Sequence, residues 1–141
     1  MHKPKFSRLL AMIFMGTLFV SSVTVRAQQE EPPAPSTHDG VTYVTGGVGL
    51  DESSAIRAQA TRFNLHLRFT TPHGEYLSDV DVIITSETGA TVLALKSDGP
   101  FVFVQLAPGR YRIGASTNRS LENRWITVPP RGAANVDFYL G

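Results

Sequence analysis

From Phe63 to the C-terminus the chain is written in a period of two, interrupted about every eight to twelve residues by turn-forming residues. Phe63, Leu65, Leu67 and Phe69 alternate with Asn64, His66, Arg68 and Thr70, which predicts a strand with one buried face. Val80, Val82 and Ile84 form the inward set of the next strand, opposite Asp79, Asp81 and Ile83. Further strands are expected at Thr91–Lys96, Phe101–Leu106, Arg110–Ser116, Arg124–Val128 and Ala133–Leu140. The segment Phe101-Val-Phe-Val-Gln-Leu106 is apolar on both faces, as a central strand covered on each side would be. In the run Arg110–Ser116, Tyr111, Ile113 and Ala115 form the inward set, and Asn118–Asn123 reads as a polar turn.

Helical spacing occurs once past residue 40. Ile56, Ala60 and Phe63 recur at i, i+4 and i+7, with Asp51 placed to cap and Glu52 in the first turn, where the helix dipole favours an anion. A helix over about 51–62 is short enough to be marginal alone and has to lie against a sheet face. Before it, Val41–Val44 predicts a short edge strand that Gly46-Gly47-Val48-Gly49 ends. The pattern is that of an antiparallel sandwich of about seven strands with one short N-terminal helix.

The N-terminal 27 residues belong to a different class. Lys3, Lys5 and Arg8 precede an uninterrupted apolar run from Leu9 to Val20, and Val25 and Ala27 supply small residues for a cut after Ala27, so residues 1–27 are expected to be a secretory signal peptide. The run is too short to cross a bilayer, which takes about 20 apolar residues, so no transmembrane anchor is expected after cleavage. Residues 28–40 carry Glu30, Glu31, Pro32, Pro33 and Pro35 and read as a flexible Pro-rich linker, leaving 41–141 as the domain. A chain with no cysteine has no disulfide to staple it, and about 114 residues can form a sufficient core without one. The expected location is the periplasm or the cell exterior.

The whole chain has 13 Lys plus Arg against 12 Asp plus Glu, a formal +1. Removing the segment with Lys3, Lys5, Arg8 and Arg26 leaves nine basic against twelve acidic residues, a formal −3. A mildly acidic domain without a run of Lys or Arg has no electrostatic footprint for a polyphosphate, so nucleic acid is not an expected partner.

Residues 77–116 carry a recognisable phrase: Leu77-Ser-Asp-Val80-Asp-Val82, then Thr88-Gly89, then Ser97-Asp98-Gly99-Pro100-Phe101-Val-Phe103-Val-Gln-Leu106-Ala-Pro108-Gly109-Arg-Tyr111. It resembles the carboxypeptidase regulatory-like domain, a transthyretin-like (prealbumin-like) β-sandwich related to carbohydrate-binding-like folds. Each part has a mechanical use: Asp98 and Gly99 satisfy a turn, Phe101 and Phe103 fill one sheet face, Pro108 and Gly109 make the next turn and Tyr111 plugs the core. The flanking parts, including Gly46–Gly49 and Phe138-Tyr139, resemble small exported proteins of Gram-negative bacteria that carry this domain alone. The resemblance implies an all-β, antiparallel transthyretin-like sandwich and a periplasmic location, and brings no established activity.

Enzymatic constellations are absent from the sequence pattern. A zinc peptidase needs a His-x-x-Glu pair, and none of His38, His66 or His73 has Glu three residues on. The hydroxyisourate hydrolases that share the transthyretin-like fold end in a Tyr-Arg-Gly-Ser type of tail, whereas this chain ends Phe138-Tyr139-Leu140-Gly141. No Tyr/His spacing supports the iron site of an intradiol dioxygenase, no nucleophile elbow occurs, and Gly46–Gly49 lacks the Lys of a phosphate loop. The expectation is therefore a module that is not an enzyme and needs no cofactor or metal, working by protein recognition or structural support in the cell envelope. The alternative is a carbohydrate-binding module, and a small hydrolase on the same sandwich comes third.

The candidate binding residues are Trp125, Arg110 and Arg112. With Ile126 and Val128 inward, Trp125 points outward, where an indole can stack on a sugar or an apolar partner residue and the two arginines can donate hydrogen bonds beside it. The preferred reading instead packs Trp125 beneath the helix, which must cover some sheet face. Asn64, His66 and Arg68 read as a solvated stripe paired with Asp81 across the sheet, and His73 as a turn residue.

Overall fold

The computed structural model of the chain describes residue 16, residues 20–24 and residues 31–141; the signal-peptide reading, its cut after Ala27 and the first residues of the linker fall largely outside them. Among the described residues nine strands and one α-helix occur in the order β1 (Ser36–His38), β2 (Val41–Gly46), α1 (Leu50–Ala58), β3 (Leu65–Thr70), β4 (Asp81–Ser86), β5 (Thr91–Lys96), β6 (Phe101–Gln105), β7 (Gly109–Ser116), β8 (Leu121–Val128) and β9 (Ala134–Tyr139). They form two sheets, β1-β2-β6-β3-β9 and β5-β4-β7-β8, which we call sheet A and sheet B. The all-β sandwich is the architecture the alternation predicts.

The two sheets close over one core. Leu65, Leu67 and Phe69 of β3, Val102 and Val104 of β6 and Val136 and Phe138 of β9 meet Val82 and Ile84 of β4, Leu93 of β5 and Ile113 and Ala115 of β7. The inward sets read from the period of two are the ones buried. Tyr111 is only 8% exposed, and its hydroxyl donates to the Ala107 carbonyl at 2.7 Å, so the ring fills the core while its one polar atom is satisfied four residues back.

A second, smaller cluster lies on the outer face of sheet A, where α1 covers it: Ile56 from the helix, Phe63 just past it, Val44 from β2 and Phe101 and Phe103 from β6. This explains why β6 is apolar on both faces. Val102 and Val104 face sheet B while Phe101 and Phe103 face the helix, and β6 lies between β2 and β3. The helix is shorter than expected. It runs Leu50–Ala58 and passes through Gln59 into a 3-10 turn at Ala60–Arg62, with Gly49 rather than Asp51 at the N-cap. Asp51 and Glu52 occupy the first turn, and Glu52 Oε1 accepts from the Gly47 backbone N–H at 2.8 Å, tying the helix start to the end of β2.

Four further expectations are corrected. The sandwich is not antiparallel throughout, since β9 runs parallel to β3 in the register Leu65↔Ala134 to Thr70↔Tyr139. Parallel pairing is possible here because the whole of β4 to β8 lies between the two strands and supplies the crossover. The strand expected at Val41–Val44 runs on to Gly46 and is not an edge strand, because β1 pairs outside β2 through a hairpin at Asp39-Gly40, both in left-handed backbone. The linker is consequently not loose over its whole length: Ser36–His38 is strand, and the Pro33 carbonyl accepts from the Gln59 side chain at 2.8 Å. The polar turn before β8 ends earlier than expected, as β8 already begins at Leu121, with Thr117–Ser120 closing the connection.

Candidate functional site

Sheet B leaves its outer face open. The strand order and register set out a grid in which Asp81, Ile83 and Thr85 of β4, Arg110, Arg112, Gly114 and Ser116 of β7, and Leu121, Asn123, Trp125 and Thr127 of β8 all point away from the core. Trp125 is 47% exposed, directly opposite Arg112 on β7, and the Arg110 guanidinium carbon lies 4.7 Å from the centroid of its ring. The three candidate residues of the sequence are thus brought together on one surface. The preferred expectation that Trp125 lies under the helix is wrong: α1 covers sheet A, and Trp125 sits on β8, the edge strand of sheet B.

The electrostatics of this surface follow from what the arginines lack. Among the described residues the ion pairs are His38–Asp39, Arg68–Asp137, Lys96–Asp81 and Arg124–Glu122, so neither Arg110 nor Arg112 has a carboxylate within reach. Arg110 lies over an indole face, which attracts a cation without neutralising it. The grid also has a shallow depression of about 110 Å³ over Gly114, walled by Ile83, Arg112, Leu121 and Asn123. A Cβ at Gly114 would come within 2.9 Å of Asn123 Oδ1, so the missing side chain is what makes the hollow. Ile83 is 50% and Leu121 68% exposed, and together with Trp125 they give the face apolar contact points between its polar ones.

The second feature is a groove of about 430 Å³ on the outer face of sheet A, beside the C-terminal end of α1. Phe101 and Phe103 form its floor, and Arg57, His66, Arg68, Asn135 and Asp137 form its walls. Here the stripe Asn64, His66 and Arg68 finds its place: Arg68 is exposed as expected, whereas Asn64 and His66 are half-buried. Asn64 continues the β3–β6 ladder with its side chain, donating to the Leu106 carbonyl at 2.6 Å and accepting from the Leu106 N–H at 2.8 Å. The His66 ring packs 4.7 Å from Phe103; its Nε2–H donates to the Ala60 carbonyl at 2.8 Å and lies 3.0 Å from that of Phe63, which closes the 3-10 turn onto the sheet. His66 Nδ1 is 3.0 Å from the Asn135 side-chain amide. Arg68 pairs at 2.9 Å with Asp137 of the neighbouring β9, while Asp81 faces Lys96 at 3.7 Å on the other sheet.

Alternation alone does not give this groove, because it does not say which strand β9 lies beside or in which direction. Parallel pairing is what sets Asn135 beside His66 and Asp137 beside Arg68. The remaining candidates for chemistry stay apart. His38 lies in the β1 strand, His66 beneath the 3-10 turn and His73 in the turn after β3, and no cluster of three metal-ligating side chains occurs among the described residues. Asp98 is a turn residue whose backbone N–H donates to Thr45 Oγ1 at 3.0 Å. No helix among the described residues is long and apolar enough to cross a membrane. A comparison with protein-family models gives no match to this chain, and a comparison with curated proteins gives none either.

Proposed function

We propose that this chain is an exported, non-catalytic recognition module of the cell envelope, which engages a partner protein through the outer face of sheet B. The observation that carries this reading is the half-exposed Trp125 flanked by Arg110 and Arg112, two arginines without carboxylate partners among the described residues. Tryptophan and arginine are the side chains that contribute most at protein interfaces, and a partner bringing carboxylates to this face would meet two unneutralised guanidinium groups. Export and a periplasmic address rest on the order of charges and apolar residues in 1–27. The resemblance of residues 77–116 to the carboxypeptidase regulatory-like domain, and with it the transthyretin-like assignment, is part of the same proposal. The Tyr111 plug and the two outer phenylalanines are consistent with it.

The test is capture from a periplasmic extract on the immobilised chain, run beside Trp125→Ala and an Arg110→Gln/Arg112→Gln double variant. A protein held by the parent chain and released by both variants supports the reading. Equal capture by all three moves recognition off this face.

A carbohydrate ligand is the second reading, favoured by an indole that lies on a flat sheet face with donors at its side. Stacking on such a ring needs no enclosing pocket. Titration with a uronic-acid oligosaccharide would then change the Trp125 emission, whereas a protein interface predicts no response to the sugar.

A further inference from the structure

We infer that the hollow over Gly114, on the outer face of sheet B, is an anchor site for an extended acidic segment of a partner protein. The segment lays one aliphatic side chain in the hollow and its carboxylates on Arg112 and Arg110. The inference rests on the reading of this face as the recognition surface and deepens it by naming what the partner brings.

Gly114 lies mid-strand in β7, where a glycine weakens the strand and has no side chain to pack. Nothing in the fold requires it. Its φ is outside the left-handed region, and the registers with β4 and β8 run through it without a shift, so it serves neither a turn nor a bulge. A Cβ there would meet Asn123 Oδ1 at 2.9 Å and the Ile83 carbonyl at an ordinary 3.9 Å. Asn123 is exposed and its tip can swing aside, so a larger residue has room. The remaining use of such a glycine is the close approach of a group from outside the chain.

The walls select what enters. Gly114 has Ile83 and Asn123 opposite it on the two neighbouring strands, and Arg112 and Ser116 on either side along β7. Ile83 and Leu121, both largely exposed, put aliphatic carbon at two sides of the hollow. The hollow measures about 110 Å³. An apolar cavity that holds a benzene ring takes roughly 150 Å³, so this one suits an aliphatic side chain rather than an aromatic one.

Register supplies the rest of the match. Same-face positions recur about every 6.8 Å along a strand, so Arg110, Arg112 and Gly114 form a row that an extended segment meets with every second side chain. An aliphatic residue over Gly114 sets the second residue on over Arg112 and the fourth over Arg110. Neither arginine has a carboxylate partner among the described residues. Past residue 27 the chain carries nine basic against twelve acidic residues, so the two arginines are a local positive excess on an acidic domain, and an acidic segment is what this face attracts. Trp125, directly opposite Arg112, flanks the row.

The experiment is selection of a random peptide library displayed on phage against the immobilised chain. The expected consensus is Ile, Leu or Val with two acidic residues at the next two alternate positions, in either chain direction. A synthetic peptide of that consensus is expected to bind at least about tenfold more weakly to Gly114→Val and to Arg112→Gln than to the unaltered chain. Gly114→Val fills the hollow with a residue suited to a strand, so its melting midpoint is expected to stay level or rise. Should it not fold, a peptide with Ala in place of the aliphatic residue decides on the unaltered chain: a loss of at least about tenfold supports the anchor and equal binding overturns it. No enriched peptide, or a consensus lacking the acidic pair or the aliphatic residue, overturns the inference. Binding lost with Trp125→Ala but kept by Gly114→Val overturns the anchor alone and leaves the recognition face standing, whereas binding kept by both overturns the two together. Self-association of the chain that Gly114→Val abolishes would put a second copy in the hollow and overturn the acidic partner segment as its occupant.

Discussion

Arg110 stands over the indole of Trp125, its guanidinium carbon 4.7 Å from the ring centroid, on a sheet face that no other element of the described chain covers. The pair is on the surface, so its contribution to folding is small. Arg110→Ala and Trp125→Ala are each expected to lower stability by no more than about 1 kcal/mol, the scale of an exposed cation–π contact plus partial burial. Urea denaturation measures this directly. A loss of about 3–5 kcal/mol for Trp125→Ala, the cost of truncating a core aromatic, would contradict the placement of Trp125 on an open face.

The helix is held by its one fully buried apolar side chain. Ile56 is enclosed among Val44, Phe63, Phe101 and Phe103, and nine residues of helix have little stability of their own. Ile56→Ala is expected to cost about 2–5 kcal/mol and to raise amide exchange throughout α1 ahead of the sheets. Hydrogen exchange that rises equally in α1 and in β7 would mean that the helix and the sandwich form one cooperative unit.

At the other edge of the sandwich Arg124 does work that its side-chain ion pair does not describe. It donates to the Asp137 carbonyl at 2.7 Å across the gap between β8 and β9, and its guanidinium carbon lies 4.9 Å from the centroid of the Phe138 ring. Arg124→Ala leaves a strand carbonyl without its donor and uncovers that ring, and is expected to cost about 1–3 kcal/mol. The surface pair Arg68–Asp137 is about half exposed on both sides, and breaking it with Asp137→Asn is expected to cost under about 1 kcal/mol. Thermal melts of the two variants give the order, and a larger effect from Asp137→Asn would reverse the account of that edge.

Gly99 looks in the sequence like a turn residue and nothing more. In the fold it lies buried against the backbone of Gly46, and a Cβ there would run into the Gly46 carbonyl group. Gly99→Ala therefore forces the β5–β6 turn away from the end of β2, at a cost of about 1–3 kcal/mol or more, readable as a shift in the melting midpoint. A neutral effect would show that the turn can move without disturbing β2.

What the sequence made legible was the part of the fold written in local pattern. The inward sets of β3, β4, β6 and β7 and the outward direction of Trp125 follow from alternation alone, because a one-residue slip would expose Phe69, Ile84 or Ile113. Turns at Ser97–Pro100 and Ala107–Gly109 were legible from their residue chemistry. What stayed hidden depends on which strands are neighbours. No local signal says that Ala134–Tyr139 runs parallel to Leu65–Thr70, and without that pairing Asn135 and Asp137 cannot be set beside His66 and Arg68. The face chosen by the helix was hidden for the same reason. Phe101 and Phe103 were the available clue, since β6 has two apolar faces and only one of them can meet sheet B, whereas β8 offered a lone Trp125 among polar neighbours.

The central claim is that the outer face of sheet B, with Trp125 on its edge strand β8, is where this module meets its partner. Trp125 is the single tryptophan of the chain, so its emission reports that face and no other. The decisive measurement is acrylamide quenching of the Trp125 emission in the free chain and again after saturation with the partner captured from periplasmic extract. The account predicts strong quenching in the free chain and marked protection, with a blue-shifted emission, in the complex. Quenching that is unchanged at saturation would place the interface elsewhere on the molecule.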